Sequence, residues 1–135
     1  MKIGLIGCVK SKKDGWHKAR DIYVSTLFKL GFQYASRTCD KVYILSARYG
    51  VLEPDTRIRA YDSTLRDMSV HERKIWSARV ADRLKQHIQR GAEIHFFCGK
   101  RYWEFLPGLL TAYTCFAPLE GLGLGQQLHW YKMKL

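Results

Sequence analysis

Four short apolar runs, spaced along the chain and separated by stretches of helical periodicity, constrain the fold more than any other feature. Residues 2–7 carry Ile3, Leu5 and Ile6; residues 41–46 carry Val42, Tyr43, Ile44 and Leu45. Residues 93–98 hold Ile94, Phe96 and Phe97, and residues 113–117 hold Tyr113, Cys115 and Phe116. Runs this short, rich in β-branched and aromatic side chains, read as strands. When helical patterns alternate with such strands, the crossovers favour a parallel sheet covered on both faces. The expectation is a single α/β domain over residues 1–135, three-layer α/β/α, with a central, mainly parallel sheet of four strands.

The helices are read from periodicity and caps. Tyr23, Leu27 and Leu30 recur at spacings of four and three, with Phe28 and Tyr34 beside them, which predicts a helix over 19–37. Gly31 breaks or loosens it. Residues 70–90 form the clearest helix, with Trp76, Val80, Leu84 and Ile88 stepping by four, Ser69 and Glu72 spaced as a capping box, and Gly91 as the stop. A last helix is predicted over about 100–112, after Gly99. Residues 47–68 lack a long periodic segment, and an irregular stretch of that length inside a domain is more often functional than decorative. The tail from Pro118 to Gln127 is glycine-rich and reads as a flap.

Charge narrows the partners. Lys and Arg total 23 against 12 Asp and Glu, a formal charge of +11. So basic a domain favours a nucleotide, a nucleoside or nucleic acid as partner. The charge is not gathered on one amphipathic helix, which argues against a membrane surface, and no apolar run is long enough to span a bilayer. No secretion signal is visible at the N-terminus. Cys8, Cys39, Cys98 and Cys115 form no C-x-x-C pair, so no metal site and no cofactor are expected, and a reducing cytoplasmic setting is the default.

In a parallel sheet the segments that follow the strands meet at one edge, where open α/β folds place ligands. Here they are Gly7–Lys13, Ser46–Gly50, Gly99–Tyr102 and Pro118–Gln127. Gly7, Cys8, Lys10 and Ser11 are the first wall; the G-x-x-x-x-G-K-[ST] spacing of a phosphate loop is absent. Cys8 is either a strand-end packing residue or a thiol activated by its lysine neighbours. Tyr23 and Ser25, at the start of the first helix, face this loop if the loop is compact. Ser46, Tyr49 and Gly50 form the second wall, with the Tyr49 ring available to stack on a base. Gly99, Lys100 and Tyr102 form the third, opening a helix whose free amides favour an anion. Gly121, Gly123 and Gln126 belong to the fourth, where small residues allow backbone to approach a flat ligand. Asp62 and Glu120, in the two irregular segments, are the candidate catalytic acids or bases.

These segments also carry a resemblance. Gly7-Cys8 with Lys10-Ser11-Lys12, then Ala19-Arg20-Asp21 with Tyr23, Ser25 and Leu27-Phe28, then Tyr43–Ala47 with Tyr49–Leu52 and Tyr61-Asp62, and finally Pro118–Trp130, resemble a bacterial and phage family of unknown function, DUF6884. More distantly the pattern looks like a domain of archaeosine synthase. That likeness implies a uracil-DNA-glycosylase-like fold and a nucleobase-directed site. The G-x-D-P-Y and H-P-S segments of the glycosylases are absent, with lysines where the aspartate would fall. The resemblance and the strand-end residues together imply an enzyme acting on a nucleobase or nucleotide, by N-glycosidic cleavage or base modification. Two alternatives stand beside it: a non-catalytic nucleic-acid-binding module, and a phage or defence protein that sequesters a nucleotide.

Overall fold

In a computed structural model of the chain, residues 1–7 and 12–135 are described. Expectations for Cys8, Lys10 and Ser11 lie outside the described residues. All four predicted strands form: β1 (Lys2–Gly7), β3 (Lys41–Ser46), β6 (Glu93–Phe97) and β7 (Thr114–Phe116). β1 pairs in parallel with β3 on one side and β6 on the other, and β7 pairs in parallel with β6.

The sheet has five strands rather than four. β4 (Gly50–Leu52) lies in the stretch expected to be irregular and pairs antiparallel with β3, giving the order β4-β3-β1-β6-β7. The turn that reverses the chain needs Gly50 at φ +75°, a conformation that a side chain disfavours. The same stretch holds β5 (Arg57–Arg59), which pairs with β2 (Trp16–Lys18) in a separate two-stranded sheet, and a 3-10 turn over Leu65–Asp67. Three-residue strands are too short to carry a readable period, and their partners are remote in sequence.

Helices cover both faces. The residues at 19–37 split into α1 (Ala19–Ile22) and α2 (Thr26–Thr38). Tyr23 leaves the helix to bridge Lys12, the Lys13 amide donates to the Ile22 carbonyl at 2.8 Å, and Ser25 restarts the helix by accepting from the Phe28 amide. α2 packs where β1 lacks a side chain: a Cβ on Gly4 would lie 3.1 Å from both Ala35 Cβ and Cys39 Sγ. The helix α3 (Val70–His87) covers the opposite face, together with α4 (Lys100–Trp103) and α5 (Leu106–Leu109). Trp103 stacks on Phe96 there at 5.9 Å, and His87 approaches Tyr43 at 6.4 Å. Moving from β3 back across β1 to β6 reverses the direction of travel, and right-handed crossovers then place α3 opposite α2. The predicted 100–112 helix is two single turns, because Pro107 has no amide to continue a helical ladder from α4.

The tail also differs from expectation. After the turn at residues 118–121 the chain forms α6 (Leu124–Lys134), which packs beside α2. Gly31 makes that contact possible, since a Cβ there would sit 3.0 Å from the Tyr131 hydroxyl. Gly31 therefore lies inside α2 without ending it. One hydrophobic cluster runs through both faces of the sheet.

Candidate functional site

The four parallel strands lie in the order β3-β1-β6-β7, so the chain changes direction between β1 and β6. The helices that follow these two neighbours, α2 and α4, lie on opposite faces, and a crevice sits at the carboxyl ends of the strands. Gly7, Gly99, Tyr102, Gln127 and Tyr131 line that crevice, together with apolar side chains of the sheet and α2. Over the described residues it measures about 40 Å³, room for a water or a small group but below the ~300–1,000 Å³ of ligand pockets. Gly7 is set by packing here: a Cβ would collide with the Cys98 Cβ and crowd the Tyr102 ring. Burial pushes the Tyr131 hydroxyl well above its ordinary pKa, with Cys98 and Tyr34 adding to the effect. It stays a neutral phenol at any physiological pH.

A wider groove lies beside the crevice, about 590 Å³, between the β3–β4 turn and α3. Arg48, Tyr49 and Gly50 form one bank; Trp76, Arg79 and Arg83 of α3 form the other. The Ser46 hydroxyl shapes the turn by accepting from the Arg48 and Tyr49 amides at 3.2 and 3.0 Å. Trp76 joins the two hollows. Its indole N–H donates to the Ser46 carbonyl at 3.0 Å, and its ring meets Tyr102 edge-on at 5.9 Å.

All four predicted walls therefore supply residues to the hollows, three of them through Gly7, the stretch 47–50, and Gly99 with Tyr102. The fourth contributes Gln127, whose side-chain amide donates to the Leu122 carbonyl at 2.9 Å. Gln126 instead turns back, its oxygen accepting from the Gly123 amide at 2.9 Å to cap α6. Gly121 sits in the preceding turn at φ +82°. Lys100 is exposed on a single helical turn, too short to build the dipole expected of a long helix.

Tyr23 and Ser25 serve local structure. Tyr23 is buried, with its hydroxyl 2.8 Å from that of Tyr61, and Ser25 caps α2. Lys12 Nζ lies 4.3 Å from the centre of the Tyr61 ring, and Tyr49 meets that ring edge-on at 5.5 Å. Asp62 and Glu120 are exposed, and neither carboxylate lines the crevice or the groove among the described residues. Among the described residues no group of three or more His, Cys, Asp or Glu side chains could hold a metal ion, and no helix is long and apolar enough to cross a membrane. Burial raises the pKa of the Cys39 and Cys115 thiols, which favours their protonated form.

Gln127 and Arg48 lie inside two of the predicted walls without being singled out there, and Arg79 and Arg83 lie outside all four. Arg79 and Arg83 were legible as an i, i+4 pair on the clearest helix, one turn beyond Trp76. Arg48 gave no such signal.

The fold and its hollows define an α/β protein with a mixed, mostly parallel five-stranded sheet and a crevice at the point where strand order reverses. The chain belongs to DUF6884, a family of unknown function, whose model matches residues 3–133. A search of the curated proteins finds no match.

Proposed function

We propose that the protein is a nucleobase- or nucleotide-directed enzyme whose site lies at the carboxyl ends of β1, β3 and β6. One observation carries the reading: the crevice at the reversal point adjoins a groove that combines arginines with aromatic edges, through the shared Trp76–Tyr102 contact. Guanidinium groups pair with phosphate oxygens and an aromatic face accepts a base. In this reading Tyr49 and Trp76 meet the base, Arg48 takes the phosphate, and the crevice receives the group that reacts. Lys10 and Ser11 follow Gly7 in sequence and keep their proposed role as anion contacts. Asp62 and Glu120, which line neither hollow among the described residues, keep their proposed role as general base or stabiliser of a cationic sugar-like transition state, reached once substrate is bound. The uracil-DNA-glycosylase-like fold implied by the resemblance belongs to the same proposal; the parallel order at the centre of the sheet supports it.

The test is calorimetric titration with nucleosides and nucleotides, followed by mass spectrometry of the mixture. The expected result is saturable binding at one site per chain, lost in Tyr102→Ala, with conversion of the bound compound. Wild-type turnover in the Asp62→Asn/Glu120→Gln double variant would remove the catalytic roles. No saturable binding of any nucleoside or nucleotide would remove the reading itself. A non-catalytic nucleic-acid-binding module is the second reading. It is favoured by the two exposed carboxylates, which no side-chain hydrogen bond or ion pair holds in place among the described residues.

A further inference from the structure

The groove along α3 does not stop at the turn beside it. A second hollow of about 280 Å³, lined by Tyr43, Thr56 and His87, shares Tyr49, Val51 and Arg83 with the first. Together they follow α3 from Glu72 to His87, a helical path of about 22 Å at 1.5 Å per residue.

The charges along this path are unequal in a way that points to an occupant. The two acids that line it are already engaged. Glu72 accepts from the Ser69 amide at 3.0 Å, and Glu53 pairs with Lys41 at 3.4 Å. Arg48, Arg79 and Arg83 are all exposed, and among the described residues none of them forms an ion pair. Arg79 and Arg83 stand one turn apart on the same helix face, and Arg48 faces them from the β3–β4 turn. On the same bank as Arg48 the Tyr49 ring is partly exposed, with the Arg48 guanidinium 5.7 Å from its centre.

We propose that this path binds a single strand of nucleic acid, its phosphates on Arg48, Arg79 and Arg83 and one unpaired base on Tyr49. Length separates a polymer from a free nucleotide. At about 3.4 Å per nucleotide for a fully stacked strand the path spans at most roughly six nucleotides, and fewer where bases unstack. That is still several times the length of one nucleotide and at the short end of the ~4–16 covered by single-strand-binding domains. The exposed ring separates single strand from duplex, because a paired and stacked base has no free face for it. The inference deepens the reading above by making the substrate polymeric, and rests on it for the choice of nucleic acid as the anion.

The experiment is fluorescence anisotropy of a labelled eight-nucleotide strand from low to high salt. Wild type is compared with Arg79→Gln/Arg83→Gln, and with Lys29→Gln/Arg37→Gln on α2, which removes the same charge from the opposite face. The expected result is at least a tenfold loss of affinity in the α3 variant, with its log–log salt slope shallower by about 1.4, or ~0.7 for each phosphate contact removed. The α2 variant should bind as wild type does. Equal weakening in both variants would show diffuse charge attraction and overturn the proposal. So would a mononucleotide or the matching duplex competing as well as the strand, or an oligoglutamate peptide displacing it. Nucleoside saturation at the crevice is measured on the same preparations. Its loss with strand binding intact counts against the enzyme reading alone, and the reverse pattern counts against the groove alone.

Discussion

The indole nitrogen of Trp76 donates to the main-chain carbonyl of Ser46 at 3.0 Å, tying the middle of α3 to the carboxyl end of β3. The bond is buried, and it holds a side chain that lines the groove and meets Tyr102 of the crevice. Trp76→Phe keeps much of the ring but leaves the Ser46 carbonyl without this donor. A loss of about 1–3 kcal/mol is expected, read from the urea midpoint at unchanged slope. Trp76→Leu should cost more and weaken ligand binding at both hollows.

Gly7 should not tolerate a methyl group. A Cβ there meets Cys98 and Tyr102 at the floor of the crevice, and overpacking of this kind costs about 1–3 kcal/mol. Gly7→Ala is expected to lower the melting temperature and abolish nucleoside binding together, whereas Gly99→Ala, with open space around its Cβ position, should leave stability near wild type.

Arg73 and Glu104 form the most enclosed ion pair among the described residues, at 3.0 Å, and Arg73 also donates to the Met68 carbonyl at 2.9 Å. The pair fastens the first turns of α3 to the segment after β6 that carries Tyr102. Glu104→Gln keeps the shape and removes the charge; Glu104→Ala removes both. The alanine variant should lose about 1.5–3 kcal/mol, the glutamine variant less, measured by denaturant unfolding.

The capping box of α3 predicts a pH dependence. The hydrogen bond from the Ser69 amide, followed by the nearby Ser69 side chain, holds the Glu72 carboxyl below its usual range, with His71 adding to the effect. A carboxyl with a lowered folded value contributes stability in full above its unfolded value and loses it as pH falls through the folded one. The melting-temperature gap between wild type and Glu72→Gln should therefore be constant from neutral pH down to about pH 5 and close below about pH 4. A gap that widened on acidification would contradict the assignment.

Tyr23 and Tyr61 share a buried hydroxyl contact at 2.8 Å, 38 positions apart in sequence. A double-mutant cycle with Tyr23→Phe and Tyr61→Phe should give a coupling of about 0.5–1.5 kcal/mol, the double variant losing less than the sum of the single ones.

The positions of the four parallel strands, the long helix and its cap were determined by the amino-acid sequence, because each rests on neighbours within a few residues. A short apolar run of β-branched and aromatic residues marks a buried strand, and Ser69 with Glu72 marks a helix start whatever the surroundings. Tertiary structure alone decided the features that join distant segments. It drew Tyr23 out of a helical pattern to bridge Lys12, turned residues 50–52 into an edge strand, and made a helix of the tail. It chose Gln127 over Gln126 for the crevice by spending Gln126 on the α6 cap. It also set Arg48 opposite Arg79 and Arg83, three cations gathered by a crossover that carries α3 over the sheet. No local period encodes that meeting. The physical reason is that pairing, capping and groove formation are settled by which partner wins a competition in three dimensions, and the sequence names the competitors without ranking them.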